Sequence, residues 1–526
     1  MILRMASLPG TLFLLLSSLH AQLWIPDLEI GGYKNPILYA DYSDPDIVRK
    51  GNDFYMVSSS FTCMPGIPVL HSKDLVNWTI INHVYDSLPL ARYDKPQHGE
   101  GSWAPSIRYH DKRFYVYFCT PHDGLFMAST DDPAKKWDLQ QIVKVDNWED
   151  PCPFWDDNGN AYLVRSKVCA NELYIHRLSN DGKHIFDNGT LIYTDENEPT
   201  IEGPKLMKKD GYYYIIAPAG GVTKGWQTVL RSKNIYGPYE ARDVLHKGNT
   251  SINGPHQGGL VELKSHQWWF VHFQDKGFYG RIVHLEPVTW NDDGWPMIGV
   301  DNNSDGIGEP VPEYKKPDVG NTYPVVIPQT TDEFNGKSLG LQWQWQANPR
   351  QAWYSLNQIP DRLRLYAVKN ISQNGNFWFV PNLLLQKFPA PHFTITTKMD
   401  FHPELEGEKA GLVIMGKKWA YVALVKTRDG IQAGMFEGAY QQCDDLTQAI
   451  GTVPVKSGSC YFRVEVDTAG TCSFSYSLNN ETYTPIGRKF QAVPGVWIGA
   501  KAGLFCISPN IPESKGYSDF DWFRVR

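Results

Sequence analysis

The 526-residue chain is longer than one hydrophobic core usually accommodates, so two domains are expected. A formal net charge of −7 with no basic run argues against a nucleic-acid partner. Aromatic residues make up 13% and charged ones 20%, with Gly 45 and Pro 36, a balance that suits an all-β protein with many turns and, through its flat rings, a sugar-binding one.

The chain opens with "MILRMASLPGTLFLLLSSLHAQLW", a basic residue followed by a short apolar run and small residues up to Ala21. Residues 1–21 are therefore expected to be a signal peptide, and the protein to be exported, periplasmic or secreted. No later stretch is long and apolar enough for a membrane-spanning helix. The eight cysteines (Cys63, Cys119, Cys152, Cys169, Cys443, Cys460, Cys472, Cys506) form no CxxC pair and read as buried small side chains rather than a disulfide framework.

From there an aromatic, β-branched run recurs at intervals of roughly fifty residues. Its copies are "DFYMV" at Tyr55, "RFYVY" at Tyr115, "NAYLV" at Tyr162, "YYYII" at Tyr214 and "QWWFV" at Trp269, each entered from a turn. A fainter copy follows in phase: "HSKDLVNW", "ASTDDPAKKW", "LSNDGKHIF" and "RSKNIYGPY". The pattern predicts a five-bladed β-propeller over residues 30–315. Residues 316–328 read as a linker, and the short alternating runs of 329–526 as a β-sandwich.

Innermost propeller strands converge on the axis, so residues at equivalent positions meet there. Counting back eleven to thirteen residues from each aromatic anchor reaches Asp44, Trp103, Asp150, Glu202 and His256, each with a proline close by. Three crowded acids raise one another's pKa, which a scaffold gains nothing from and acid–base chemistry uses. The chain has no HExxH, GxSxG or glycine-rich phosphate loop. Glycoside hydrolysis, with one acid protonating the leaving oxygen and another activating water or attacking the sugar, fits what remains.

The segments "YSDPDIVRKGNDFYMVSSSF", "GSWAPSIRYHDKRFYVYF", "EDPCPFWDDNGNAYLV", "IEGPKLMKKDGYYYIIAPAGG" and "GRIVHLEPVTWNDDGWPMIG" resemble glycoside hydrolase family 43, the β-xylosidases and α-L-arabinofuranosidases. "DEFNGKSLGLQWQWQANP", "GEKAGLVIMG" and "DFDWFRV" are similar to the concanavalin-like jelly-roll sandwich that follows the propeller in β-xylosidases. The resemblance implies an inverting exo-hydrolase of hemicellulose-derived oligosaccharides that releases xylose or arabinose. Asp44 matches the general base, Glu202 the general acid and Asp150 the residue that tunes and orients that acid. Trp103 would line the pocket and Arg281 contact the sugar, while Asp46 is read as a turn acid. His256 matches a histidine that coordinates a structural calcium in the axial channel of many members, although "GPHQGG" departs from their commoner text; no cofactor is needed for the chemistry. Asp332, Glu333 and Asp521 are candidates for a sandwich calcium. A sandwich loop at 505–517 is expected to cover the pocket. "TCMPG" at Cys63 and Met64 departs from the β-xylosidase branch and leaves xylose-against-arabinose preference open. An endo-arabinanase-like hydrolase on the same propeller and a sugar-binding propeller without catalysis are the alternatives.

Overall fold

The computed structural model describes residues 23–369, 375–440, 447–509 and 514–526. The segment expected to be a signal peptide, Cys443 and residues 510–513 of the expected covering loop lie outside the described residues.

Five four-stranded antiparallel sheets follow one another in chain order between Asp46 and Ile298. The aromatic runs are the second strands of the blades: Asp53–Val57, Arg113–Thr120, Ala161–Lys167, Tyr212–Ala219 and Trp268–Asp275. Their alternating side chains fill the layers between blades, as Phe114 and Val116 do against Val57 and Val69 of the preceding blade. The second repeat is the turn joining the third and fourth strands. Gly32–Lys34 pairs with Glu313–Lys315, which ties the two ends of the propeller domain together.

Residues 316–328 form no strand but are held on the propeller. Lys316 pairs with Asp27, Ser265 Oγ donates to the Asp318 carbonyl, and the Val326 N–H donates to Asn77. Two eight-stranded sheets then stack on one apolar core. Several of their edge strands are only two residues long, too short to leave a pattern in the sequence. The seven described cysteines are all free, and only Cys169 is exposed.

The inner strands position the site. Asp46–Lys50, Trp103–His110, Trp148–Trp155, Lys205–Lys209 and His256–Glu262 run along the axis. Within two residues of each start, one residue has left-handed backbone: Asp44 (φ 53°), Ala104 (21°), Asp150 (52°), Gly203 (60°) and Gln257 (49°). In the first four blades that residue precedes a proline. In blades 2, 3 and 5 the ladder carries a bulge at the same place. The bulge breaks the two-residue alternation, so neighbouring side chains reach the same end of the axis.

This register corrects the expected phasing. Asp44 and Asp150 are equivalents of Ala104, Gly203 and Gln257. Trp103, Glu202 and His256 stand one residue earlier, in the same place as Glu149 of blade 3.

Candidate active site

Asp44, Trp103, Asp150, Glu202 and Arg281 line one cleft of about 340 Å³ at the axis, together with Phe61, Glu149, Cys169, Gln257 and Trp497. The five side chains expected to act are brought together.

Asp44 is 6% exposed. Its Oδ2 accepts from Ser59 Oγ (2.6 Å) and Ser43 Oγ (2.9 Å), and its Oδ1 from Arg281 Nη1 (2.9 Å). Arg281 thus grips the carboxylate proposed as base as well as lining the cleft. A charged donor makes that hydrogen bond strong and fixes the carboxylate's direction.

Asp150, 3% exposed, accepts at Oδ2 from the N–H of Gly203 (2.7 Å) and from Gln257 Nε2 (2.8 Å). Gly203 follows Glu202 directly, so Asp150 holds the backbone that carries the acid. The φ of 60° favours glycine here, and an added Cβ would stand 2.2 Å from the Gln257 amide oxygen, so that amide would have to shift. Burial raises the Asp150 carboxyl to about 6 against the pull of Lys205 and the Gln257 amide.

Glu202 keeps a quarter of its side chain exposed to the cleft. Burial of its carboxyl, followed by the fields of Asp150, Glu149 and Asp44, holds its pKa well above the ordinary glutamate value, with Arg281 pulling the other way. It is therefore protonated where Asp44 is gripped by a guanidinium, the asymmetry that separates an acid from a base.

The ring of Trp103 is fixed by an Nε1–H bond to the Gly99 carbonyl (2.8 Å). Phe61 and Trp497 stand edge-on to it, with centroids at 6.5 and 6.4 Å. Trp497 is a residue of the sandwich domain and is half exposed at the cleft. Its loop is docked by Asp41, whose two oxygens accept from the N–H of Arg281 (2.9 Å) and the N–H of Gly499 (3.0 Å). The pocket is thus walled by residues near 497. Of the expected segment 505–517, residues 505–508 belong to the strand Lys501–Ser508, buried in the sheet.

Three expectations change. Asp46 is not a turn acid: it opens the inner strand of blade 1, is 1% exposed, and accepts from the Ile107 N–H (2.8 Å) and Arg108 Nη1 (2.6 Å) of blade 2. His256 does not line the cleft. It is fully buried behind Glu202, its Nε2 3.4 Å from Glu202 Oε1, and burial followed by the Arg281 charge pushes it down to about 3, so it is neutral. Among the described residues no three His, Cys, Asp or Glu side chains converge on an ion. The axial channel below carries the cationic Arg108 and Lys205, with Asp46 already taken by Arg108. Both His256 ring nitrogens are buried without a hydrogen-bond partner among the described residues, which is compatible with a ligand at the histidine. Asp332, Glu333 and Asp521 do not converge either. Asp332 accepts from the Trp343 indole and the Phe334 N–H, Glu333 pairs with Arg524, and Asp521 with Lys398.

Glu149, Gln257 and Trp497 were missed from the sequence. For the first two the signal was present: "WEDP" and "PHQGG" place them beside residues already chosen, and only the bulge turns both neighbours to the cleft. Nothing local marks Trp497.

Comparison with known proteins agrees with this geometry. Residues 33–296 match the model for glycosyl hydrolases family 43, and residues 331–526 that for the β-xylosidase C-terminal concanavalin A-like domain. A Xylanibacter ruminicola protein provisionally named a β-xylosidase is 42% identical over 90% of this chain and 86% of its own. A Bacteroides ovatus non-reducing-end α-L-arabinofuranosidase is 29% identical over 96% and 97%. A crystal structure of a family 43 protein from Bacillus licheniformis superposes with a TM-score of 0.80 at 26% identity, covering 94% of this chain and 99% of the other. Propeller, sandwich and cleft together place this chain in glycoside hydrolase family 43, as a glycosidase that hydrolyses O-glycosyl bonds.

Proposed function

We propose that the protein is an inverting exo-glycosidase that releases xylose or arabinose from the ends of xylan-derived oligosaccharides. The observation that carries the reading is the opposite setting of two carboxyls in one cleft. Glu202 is held protonated by burial and neighbouring acids, while Asp44 is held by Arg281 and two serine hydroxyls.

The terminal sugar enters the cleft that Trp103 and Trp497 line. Asp44 takes a proton from a water as the water oxygen forms a bond to the anomeric carbon. The bond to the leaving oxygen breaks, and that oxygen receives the Glu202 proton. Asp150 orients Glu202 through Gly203. The sandwich wall at Trp497 favours chain ends over the interior of a polymer, which separates this reading from an endo-acting one. No metal ion enters these steps, and oligosaccharide is the partner. Export through residues 1–21 belongs to the same proposal, and secretion with and without that segment tests it.

Proton NMR of the sugar at first release is expected to show the anomer opposite to that of the substrate; retained configuration would overturn the mechanism. Rates on a nitrophenyl β-xylopyranoside and a nitrophenyl α-arabinofuranoside distinguish the two pentoses. No turnover of either would turn the reading toward another glycan.

A further inference from the structure

The cleft holds a fourth carboxyl that the three-acid mechanism leaves idle. Glu149 lines it beside Asp150, with 7% of the residue exposed. It stands one residue before the left-handed position of its blade, the place that Trp103 fills in blade 2 and Glu202 in blade 4. The bulge between Glu149 and Cys152 brings it round to the cleft together with Asp150.

Its surroundings are unusual for a structural glutamate. Among the described residues no hydrogen bond or ion pair reaches its carboxyl, whereas Asp44 and Asp150 beside it each accept several. The groups facing it are Asp150 on its own strand, Asp44 from blade 1, Glu202 from blade 4 and the Cys169 thiol from the turn above. Arg165, on the next strand of the same blade, is turned away, sandwiched by the rings of Trp148 and Tyr174 and bonded to His176. A largely buried polar group without a partner costs free energy until something in the cleft satisfies it.

We propose that Glu149 is a substrate-binding residue whose carboxyl donates a hydrogen bond to a hydroxyl of the sugar in the cleft. Sugar hydroxyls accept as readily as they donate, and the carboxyl is in the donating form. Burial, followed by Asp150, Cys169 and Asp44, pushes Glu149 up to about 9. A neutral carboxyl at this place adds a directed donor on the blade 3 side of the cleft. The inference rests on the placement of substrate given under the proposed function.

The test compares E149A, E149Q and E202Q with the wild type on the two nitrophenyl pentosides at pH 6–7, with xylose and arabinose as competitive inhibitors. E149A is expected to raise KM, and the inhibition constant of the accepted sugar, by about tenfold, the worth of one hydrogen bond, with a smaller change in kcat. E149Q, whose amide still donates, is expected to recover most of that loss. Unchanged KM and inhibition constants in E149A would overturn the proposal. So would an E149Q as impaired as E149A while folded, because that would mean an ionised carboxylate is needed. E202Q keeps the two readings apart: a fully active E202Q would overturn the assignment of the acid, whereas an inactive E202Q beside an indifferent E149A would overturn the role of Glu149 alone.

Discussion

Asp150 acts through a single oxygen. Oδ2 accepts both from the backbone that follows Glu202 and from Gln257, so the acid's position and the far blade are coupled at one atom. Lys205 is the strongest influence holding the Asp150 pKa down. Its ammonium donates to Ser106 Oγ (3.1 Å) on blade 2. In Lys205→Met the Asp150 carboxyl loses that support, and its pKa rises above about 6. The acidic limb of the kcat/KM profile is expected to move to higher pH by about one unit, the scale on which a nearby charge acts. An unmoved limb in a folded variant would remove Asp150 from the titration that limits activity. Glu202→Gln should abolish nearly all hydrolysis and also stabilise the fold. The native Glu202 keeps its proton above the unfolded glutamate value of about 4.3. The carboxyl therefore costs stability as pH rises past that value, and costs nothing below it. The variant's melting temperature should exceed the wild type's at pH 7 and match it near pH 4; equal values at both pH would contradict the raised pKa.

At the scale of the strand, the left-handed residue decides what the blade shows to the axis. Four of the five are not glycine, and such backbone costs on the order of 1 kcal/mol or more each. Asp44, Ala104, Asp150 and Gln257 all line the cleft. Blade 4 uses Gly203, where a side chain would have to push the Gln257 amide aside. Gly203→Ala is expected to displace Gln257 or Glu202 and lower kcat by at least about tenfold, the effect of a small misplacement at the reacting centre. Near-normal turnover would show that the Gly203 contact does not position the acid. The aromatic repeat made the blades legible, because each second strand must bury its rings between neighbours. It placed Asp44, Trp103, Asp150, Glu202 and His256 within one residue of their true phase. It could not separate the two neighbouring places per blade, since a bulge leaves no periodic trace. That is why Glu149 and Gln257 stayed hidden; Asp46 was read as a turn acid because the family match gives it no chemical role, and its bonds to Ile107 and Arg108 join another blade.

Across the molecule, the sandwich is part of the site. The Met64 and Trp345 backbones exchange hydrogen bonds, Asn348 bonds both the N–H and C=O of Leu88, and the His98 ring stacks on Trp378 at 3.6 Å. Asp41 completes the seam from Arg281 to Gly499. Trp497→Ala should raise KM for oligosaccharides by about tenfold, the worth of a good aromatic contact, and leave the melting temperature nearly unchanged because the ring is half exposed. An unaltered KM would exclude Trp497 from the sugar's wall. The propeller and the sandwich that follows it were legible from composition and strand pattern. The wall was not: the hydrogen bond that seats it joins residues 458 positions apart, and nothing in the Trp497 loop alone distinguishes it from an ordinary turn.

The paired places at the head of each inner strand have an evolutionary consequence. The backbone offers two neighbouring slots per blade whatever occupies them, and the proposed reaction uses Asp44, Asp150 and Glu202 in three. Ser43, Ala104, Glu149 and Gln257 hold others. Exchanging Ala104 or Glu149 changes the lining of the cleft with no insertion and no new loop. A fold arranged in this way can diversify its cleft by point substitution alone.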